Sequence, residues 1–175
     1  HGMIAASVLL MGKSLAAAED HSVGQRIQSV IDDVEEECLK SQVPMIGRPK
    51  AKRLAELVRQ AKPRLVVECG TAIGYSGLWI GRELQAAGSG RLITLEIDSQ
   101  IARRAEANFR KAGLQQWITI QIGDARQLVK EVAGPIDFVF IDCNAPNYHP
   151  SFTGLEKNLS RQAVVVADNA DLSAA

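Results

Sequence analysis

From Lys62 onward the chain alternates short β-branched runs with helical stretches, and this rhythm constrains the fold more than any other feature. Arg64–Glu68, Arg91–Glu96, Trp117–Gln121, Asp137–Ile141 and Ala163–Ala167 read as strands. Between them Tyr75–Gln85, Ser99–Ala112, Ala125–Val132 and Phe152–Leu159 read as helices. Such alternation predicts βαβ units and a parallel sheet covered on both faces. Right-handed crossovers make it an α/β, doubly wound sheet that binds ligands at the carboxyl ends of its strands. Ahead of it, residues 23–39 place Val23, Ile27, Val30, Ile31, Val34 and Cys38 on one helical face. The acids between Asp32 and Glu37 fall on the solvated side. A loop bracketed by Pro44 and Pro49 leads into a helix from about Lys50 to Ala61. The expected division is an N-terminal helical extension at 3–43 and an α/β domain at 44–175.

At 175 residues the chain has the length of one domain, taking roughly 150 residues as typical. Twenty basic and twenty acidic residues give a formal net charge of zero. That balance excludes a broadly basic nucleic-acid binder and a polyacidic disordered chain. Cys38, Cys69 and Cys143 are widely spaced with no CxxC pair, which points to a reducing, cytoplasmic setting. His1-Gly2 ahead of Met3 reads as an expression remnant. The apolar stretch Met3–Gly12 is far shorter than the roughly 20 residues that span a bilayer, and no basic segment precedes it. No membrane partner is expected. The stretch reads as a helix that packs on the domain or on a second subunit, which makes a homodimer the expected assembly.

The segment Val66-Val67-Glu68-Cys69-Gly70-Thr71-Ala72-Ile73-Gly74-Tyr75-Ser76 leaves the first strand and enters a helix. Gly70 and Gly74 permit a tight turn and a close approach of backbone to ligand. The helix start offers unpaired N–H donors for a phosphate or a carboxylate. The spacing G-x-x-x-G is not the dinucleotide fingerprint, and no Walker lysine follows. A nucleoside with little or no phosphate therefore fits better than NAD or ATP. Glu96 ends the second strand 22 residues past Gly74, placed to accept from both ribose hydroxyls. Asp124 follows the third strand, where it flanks the base of the same ligand, caps the next helix, or does both.

The run Val67-Glu68-x-Gly70-Thr71-Ala72-x-Gly74-Tyr75-Ser76 resembles motif I of the S-adenosylmethionine-dependent O-methyltransferases of the catechol/caffeoyl-CoA type. The resemblance continues through Leu95-Glu96-Ile97-Asp98, Gly123-Asp124-Ala125, Phe140-Ile141-Asp142 and Ala167-Asp168-Asn169, covering about residues 44–169. It implies a Rossmann-like class I methyltransferase fold. By resemblance, Gly70 and its loop approach the methionine part of the cofactor, and Glu68, Tyr75 and Ser76 surround its amino and carboxylate groups. Glu96 holds the ribose, and Asp124 and Ala125 flank the adenine. Ile46 and Gly47 match the segment that folds over the cofactor. Ala72, Gly74, Ile97 and Gly123 are further cofactor-binding positions. Asp142, Asp168 and Asn169 match a divalent metal triad, and Asp142 is the candidate catalytic residue, touching cofactor and metal alike. Two carboxylates and an amide oxygen at neighbouring strand ends form an all-oxygen site suited to Mg²⁺. The plainer alternative is that Asp142 and Asp168 merely terminate their strands.

The chain departs from the family pattern in two places. The family usually carries a lysine three residues after the first metal aspartate, a candidate general base, and this chain has Ala145 there. The family also continues past the metal asparagine with antiparallel strands, whereas this sequence stops six residues after Asn169, so those strands are expected to be missing. The leading expectation is methyl transfer from S-adenosylmethionine, leaving S-adenosylhomocysteine, to a hydroxyl of a small catechol-like or phenolic acceptor with divalent-metal assistance. The alternatives are a catalytically impaired cofactor-binding protein and a methyltransferase acting on an RNA hydroxyl. A nicotinamide dehydrogenase is disfavoured by the glycine spacing.

Overall fold

A computed structural model describes residues 2–168, with side chains from residue 21. The chain opens with a long helix α1 (Gly2–Ser41) and a second helix α2 (Gly47–Ala61). Then β1 (Leu65–Cys69), α3 (Tyr75–Ala87), β2 (Arg91–Glu96), α4 (Ser99–Ala112), β3 (Ile118–Ile122) and α5 (Ala125–Leu128) alternate. They are followed by β4 (Ile136–Ile141), a 3₁₀ turn at Ala145–Asn147, α6 (Tyr148–Glu156) and β5 (Leu159–Ala167).

The five strands form one sheet in the order β3-β2-β1-β4-β5, with every pairing parallel. No antiparallel strand occurs among the described residues. β1 is buried at all five positions, as its unbroken apolar run requires when helices cover both faces. Val66, Phe138 and Phe140 turn toward α1–α4, while Leu65, Val67 and Val139 turn toward Val129, Val132 and Leu155 on the other face. The carboxyl half of α1 joins the first of these cores through Ile27, Ile31 and Val34. Strand order reverses between β1 and β4, and that switch point opens the crevice in which such sheets bind ligands. No helix among the described residues is long and apolar enough to cross a membrane.

The main elements lie where the pattern places them, and the differences are local. Gly47 already opens α2, because Pro49 sits in the first turn, where its missing N–H costs no helical bond. α5 ends at Leu128 rather than Val132, because Lys130 and Glu131 bond three residues back and tighten the turn. The sixth helix begins at Tyr148, with Pro150 in its first turn. β5 starts four residues earlier than Ala163, across an irregularity in its pairing with β4. α4 shows both of its sequence signals: Asp98 accepts from the N–H groups of Gln100 and Ile101, and Gly113 closes the helix at φ +76°.

Candidate functional site

The carboxyl ends of β1, β2 and β4 frame a cavity of about 530 Å³. Its floor is the β1–α3 loop. Gly70 has φ +103°, and a Cβ there would meet the backbone oxygen of Asp142 at 2.3 Å. The glycine thus brings the loop against the end of β4 while lining the cavity. Ala72 holds φ +46°, and its N–H donates to Glu96 Oε2 at 2.8 Å. The N–H of Asp98 donates to Glu96 Oε1 at 3.0 Å. Both carboxylate oxygens are therefore fixed by backbone donors at the rim of the cavity and keep lone pairs for further donors.

Glu68 lies elsewhere. It points under the loop, fully buried, and accepts from the hydroxyls of Ser76 and Thr94, each at 2.6 Å. Burial pushes its carboxyl up to about 7, against those two hydrogen bonds. It stiffens the loop from below and does not line the cavity. Gly74 is also absent from the lining: at φ +91° it precedes α3, and a Cβ would strike the Phe109 ring at 2.7 Å. Gly47 sits in the first turn of α2, just behind the lining residue Ile46. The remaining expected cofactor positions do face the space. Ala72, Tyr75 and Ser76 line one wall, Glu96 and Ile97 the next, and Gly123, Asp124 and Ala125 the third. Asp124 lines the cavity and also caps α5 through the Arg126 N–H at 2.9 Å.

The β4–β5 side carries the second carboxylate pair. β4 and β5 pair up to Ile141 and Ala167, so Asp142 and Asp168 leave neighbouring strand ends, and both line the cavity. Burial first, and the charge of Asp168 second, raise the Asp142 carboxyl to about 6. Lys50 reaches in from α2, its Nζ 2.7 Å from Asp168 Oδ1. Tyr148 donates its hydroxyl to the Asp168 carbonyl. Asn169, the third expected metal residue, lies outside the described residues. Two carboxylates on one cavity wall supply hard oxygen donors, although no cluster of three metal-ligating His, Cys, Asp or Glu side chains occurs among the described residues.

A model of a family described as a methyltransferase domain matches residues 67–170, from within β1 through the end of β5. The chain belongs to that methyltransferase family. The catechol O-methyltransferase of Niastella koreensis is 38% identical over 124 residues, which is 69% of this chain and 55% of that protein. The chain thus spans little more than half the length of this curated relative. The solved O-methyltransferase TomG from Streptomyces achromogenes, in complex with SAM, superposes with a TM-score of 0.74 at 29% identity, covering 83% of this chain and 67% of that one. The Bacillus cereus O-methyltransferase, in complex with SAH, gives 0.72 at 28% identity, covering 81% and 66%.

Several residues of this methyltransferase site carry no local signal in the sequence. Lys50 is one. Arg104 of α4 lines the cavity and donates to Glu37 of α1 at 2.5 Å. The Tyr75 hydroxyl donates to Glu35 at 2.5 Å, and Arg48 bonds the same carboxylate. The acids of α1 are therefore not all a solvated face: Glu35 and Glu37 tie that helix to the cavity wall. A pattern of alternating burial finds the helix but not the partners, which lie 40 and 67 residues away.

Proposed function

We propose that the protein transfers a methyl group from S-adenosylmethionine to a hydroxyl oxygen of a small catechol-like or phenolic acceptor, assisted by a divalent metal. One observation carries this reading: the anchored Glu96 carboxylate and the Asp142–Asp168 pair open onto the same cavity. A nucleoside held at one end is thereby presented to a cation and acceptor site at the other. The names of the relatives support the oxygen acceptor.

Glu96 accepts from the ribose hydroxyls with both oxygens already oriented, so little ordering is left for binding to supply. Ile97 covers the adenine as an apolar plate, with Gly123, Asp124 and Ala125 at its edge. Gly70 and Ala72 bring backbone close to the methionine end. Tyr75 and Ser76 wall that end, their hydroxyls spent on Glu35 and Glu68. Ile46 closes the cavity from above. Asp142 and Asp168, with Asn169, would hold the divalent ion, probed as Mg²⁺. When bound, such an ion acts as a Lewis acid that lowers the pKa of an acceptor hydroxyl. The chain's own work is alignment of acceptor oxygen, methyl and sulfur. Three free cysteines, two of them buried, fit a cytoplasmic protein, and α1 is the element we assign to a homodimer contact. Small molecules, rather than RNA, suit the neutral overall charge.

A second reading, a cofactor-binding protein without turnover, is favoured by Ala145, which cannot take a proton where the resemblance places a lysine. One experiment separates the two. Calorimetry with S-adenosylmethionine and S-adenosylhomocysteine, on the wild type and Glu96→Ala, should show binding weakened by about 1–3 kcal/mol in the variant. Methylation of catechol with Mg²⁺, read by mass spectrometry, then supports the transferase. Binding without methylation of any phenol supports the second reading, and no binding by folded protein sinks both.

A further inference from the structure

Lys50 stands apart from the residues that the site was expected to contain. It belongs to α2, 118 residues from Asp168 in sequence, yet its ammonium lies 2.7 Å from Asp168 Oδ1. At that end of the cavity two lining carboxylates are therefore joined by a lysine from outside its wall. Asp168 is fixed from behind: its N–H donates to the Ile141 carbonyl at 3.0 Å, and its own carbonyl accepts from Tyr148. Asp142 is fixed in the same manner, its N–H donating to the Cys69 carbonyl at 2.9 Å. The backbone of both aspartates is thus held at the strand ends, and Lys50 meets one of their carboxylates from the side of α2. Its side chain is 55% exposed, against 10% for Asp168, and its stem is flexible.

Affinity of an oxygen site for a divalent ion rises with its negative charge count. One ammonium at Asp168 removes half of that charge, and it occupies a carboxylate oxygen a metal would use. We propose that Lys50 is a built-in counter-cation of the Asp142–Asp168 pair, and that a divalent ion enters by displacing its ammonium from Asp168. This rests on the metal-assisted reading above. The lysine keeps the pair half-neutralised between metal-binding events and sets a weak affinity for the ion. Once displaced, its head moves to the solvent side, as its exposure permits.

The test is a titration of the full chain with Mn²⁺, read by electron paramagnetic resonance of the free ion, without cofactor or acceptor. Thermal melts check that each variant is folded. Lys50→Met should bind Mn²⁺ at least tenfold more tightly than wild type. Lys50→Arg, which keeps the charge, should stay near wild type. Adding Asp168→Asn to Lys50→Met should remove the gain. Equal or weaker binding by Lys50→Met overturns the proposal and leaves the metal reading standing. A gain shared by Lys50→Arg also overturns it, since charge is then not the cause. If neither wild type nor Lys50→Met binds Mn²⁺ saturably while folded, the metal reading fails and the proposal fails with it.

Discussion

On the β2 side of the crevice, Glu96 is held by two backbone N–H groups, from Ala72 at 2.8 Å and Asp98 at 3.0 Å. On the β4–β5 side, the Asp142 carboxylate receives no hydrogen bond among the described residues, and burial first and the charge of Asp168 second work against its ionisation, with only the Lys50 charge favouring it. Both carboxylates sit at strand ends and both line one cavity. The difference lies in what satisfies them. The β2 side is complete within the fold, because backbone donors already orient the Glu96 carboxylate. The β4–β5 side is partnered by a side chain from another element, the Lys50 ammonium on Asp168. The β4–β5 side is thus the electrostatically unfinished one, as expected where stability is traded for function.

The largest expected effect comes from the residue that joins the two sides. Gly70→Ala places a methyl 2.3 Å from the Asp142 carbonyl oxygen, on a backbone at φ +103°. Strain and overpacking together should cost roughly 3–5 kcal/mol, read as a lowered urea midpoint. A variant of unchanged stability would show that the loop and β4 are not locked together. Next in size is Glu68. Its carboxyl, ordinarily at 4.5, is raised to about 7 by burial. The folded state therefore holds this proton more tightly than the unfolded chain. Its contribution is full below about pH 4.5, falls as pH rises to about 7, and is flat above. Glu68→Gln keeps hydrogen-bonding atoms toward Ser76 and Thr94 and removes the charge. It should flatten the stability profile across that window and gain roughly 2–3 kcal/mol at pH 8, measured by denaturant unfolding. A profile that keeps its slope in the variant would assign it to another group.

The sheet, the crevice and most of the residues lining its β2 side can be read in the sequence because they are built from near neighbours. β-branched runs give β1 and β2, Asp98 and Gly113 bound α4, and Glu96 follows from its place at a strand end. Glu68 shows the limit of a motif: it sits in the right run, but its place within a buried strand turns it under the loop instead of into the cavity. Lys50, Arg104 and the two α1 acids show a different limit. Each acts across 40 to 118 residues of chain, through the docking of α1 and α2 on the sheet. No spacing rule reports that docking, because the same polar residues would look solvated on any exposed helix face. Gly74 adds a third case, a motif glycine whose geometry answers to the Phe109 ring rather than to a ligand.

The smallest effect sharpens the contrast most. If the β4–β5 side is left unfinished, removing one of its charges should stabilise the protein while disabling it. The Asp142 carboxyl is raised from 3.8 to about 6, by burial first and Asp168 second. As with Glu68, the folded state holds the proton more tightly. The contribution is full below about pH 4, is lost as pH rises to about 6, and leaves an unfavourable carboxylate above. Solvent reaches this group, so the penalty is discounted to about 1 kcal/mol. Asp142→Asn should therefore melt a few degrees higher than wild type at pH 7.5, and at the same temperature at pH 3.5. The same substitution on the β2 side should do the opposite. Glu96→Gln weakens the acceptor of the Ala72 and Asp98 N–H groups, so its melting temperature at pH 7.5 should fall. If both variants shift in the same direction, the two sides are held alike, and the carboxylates of the β4–β5 side are as well satisfied as Glu96.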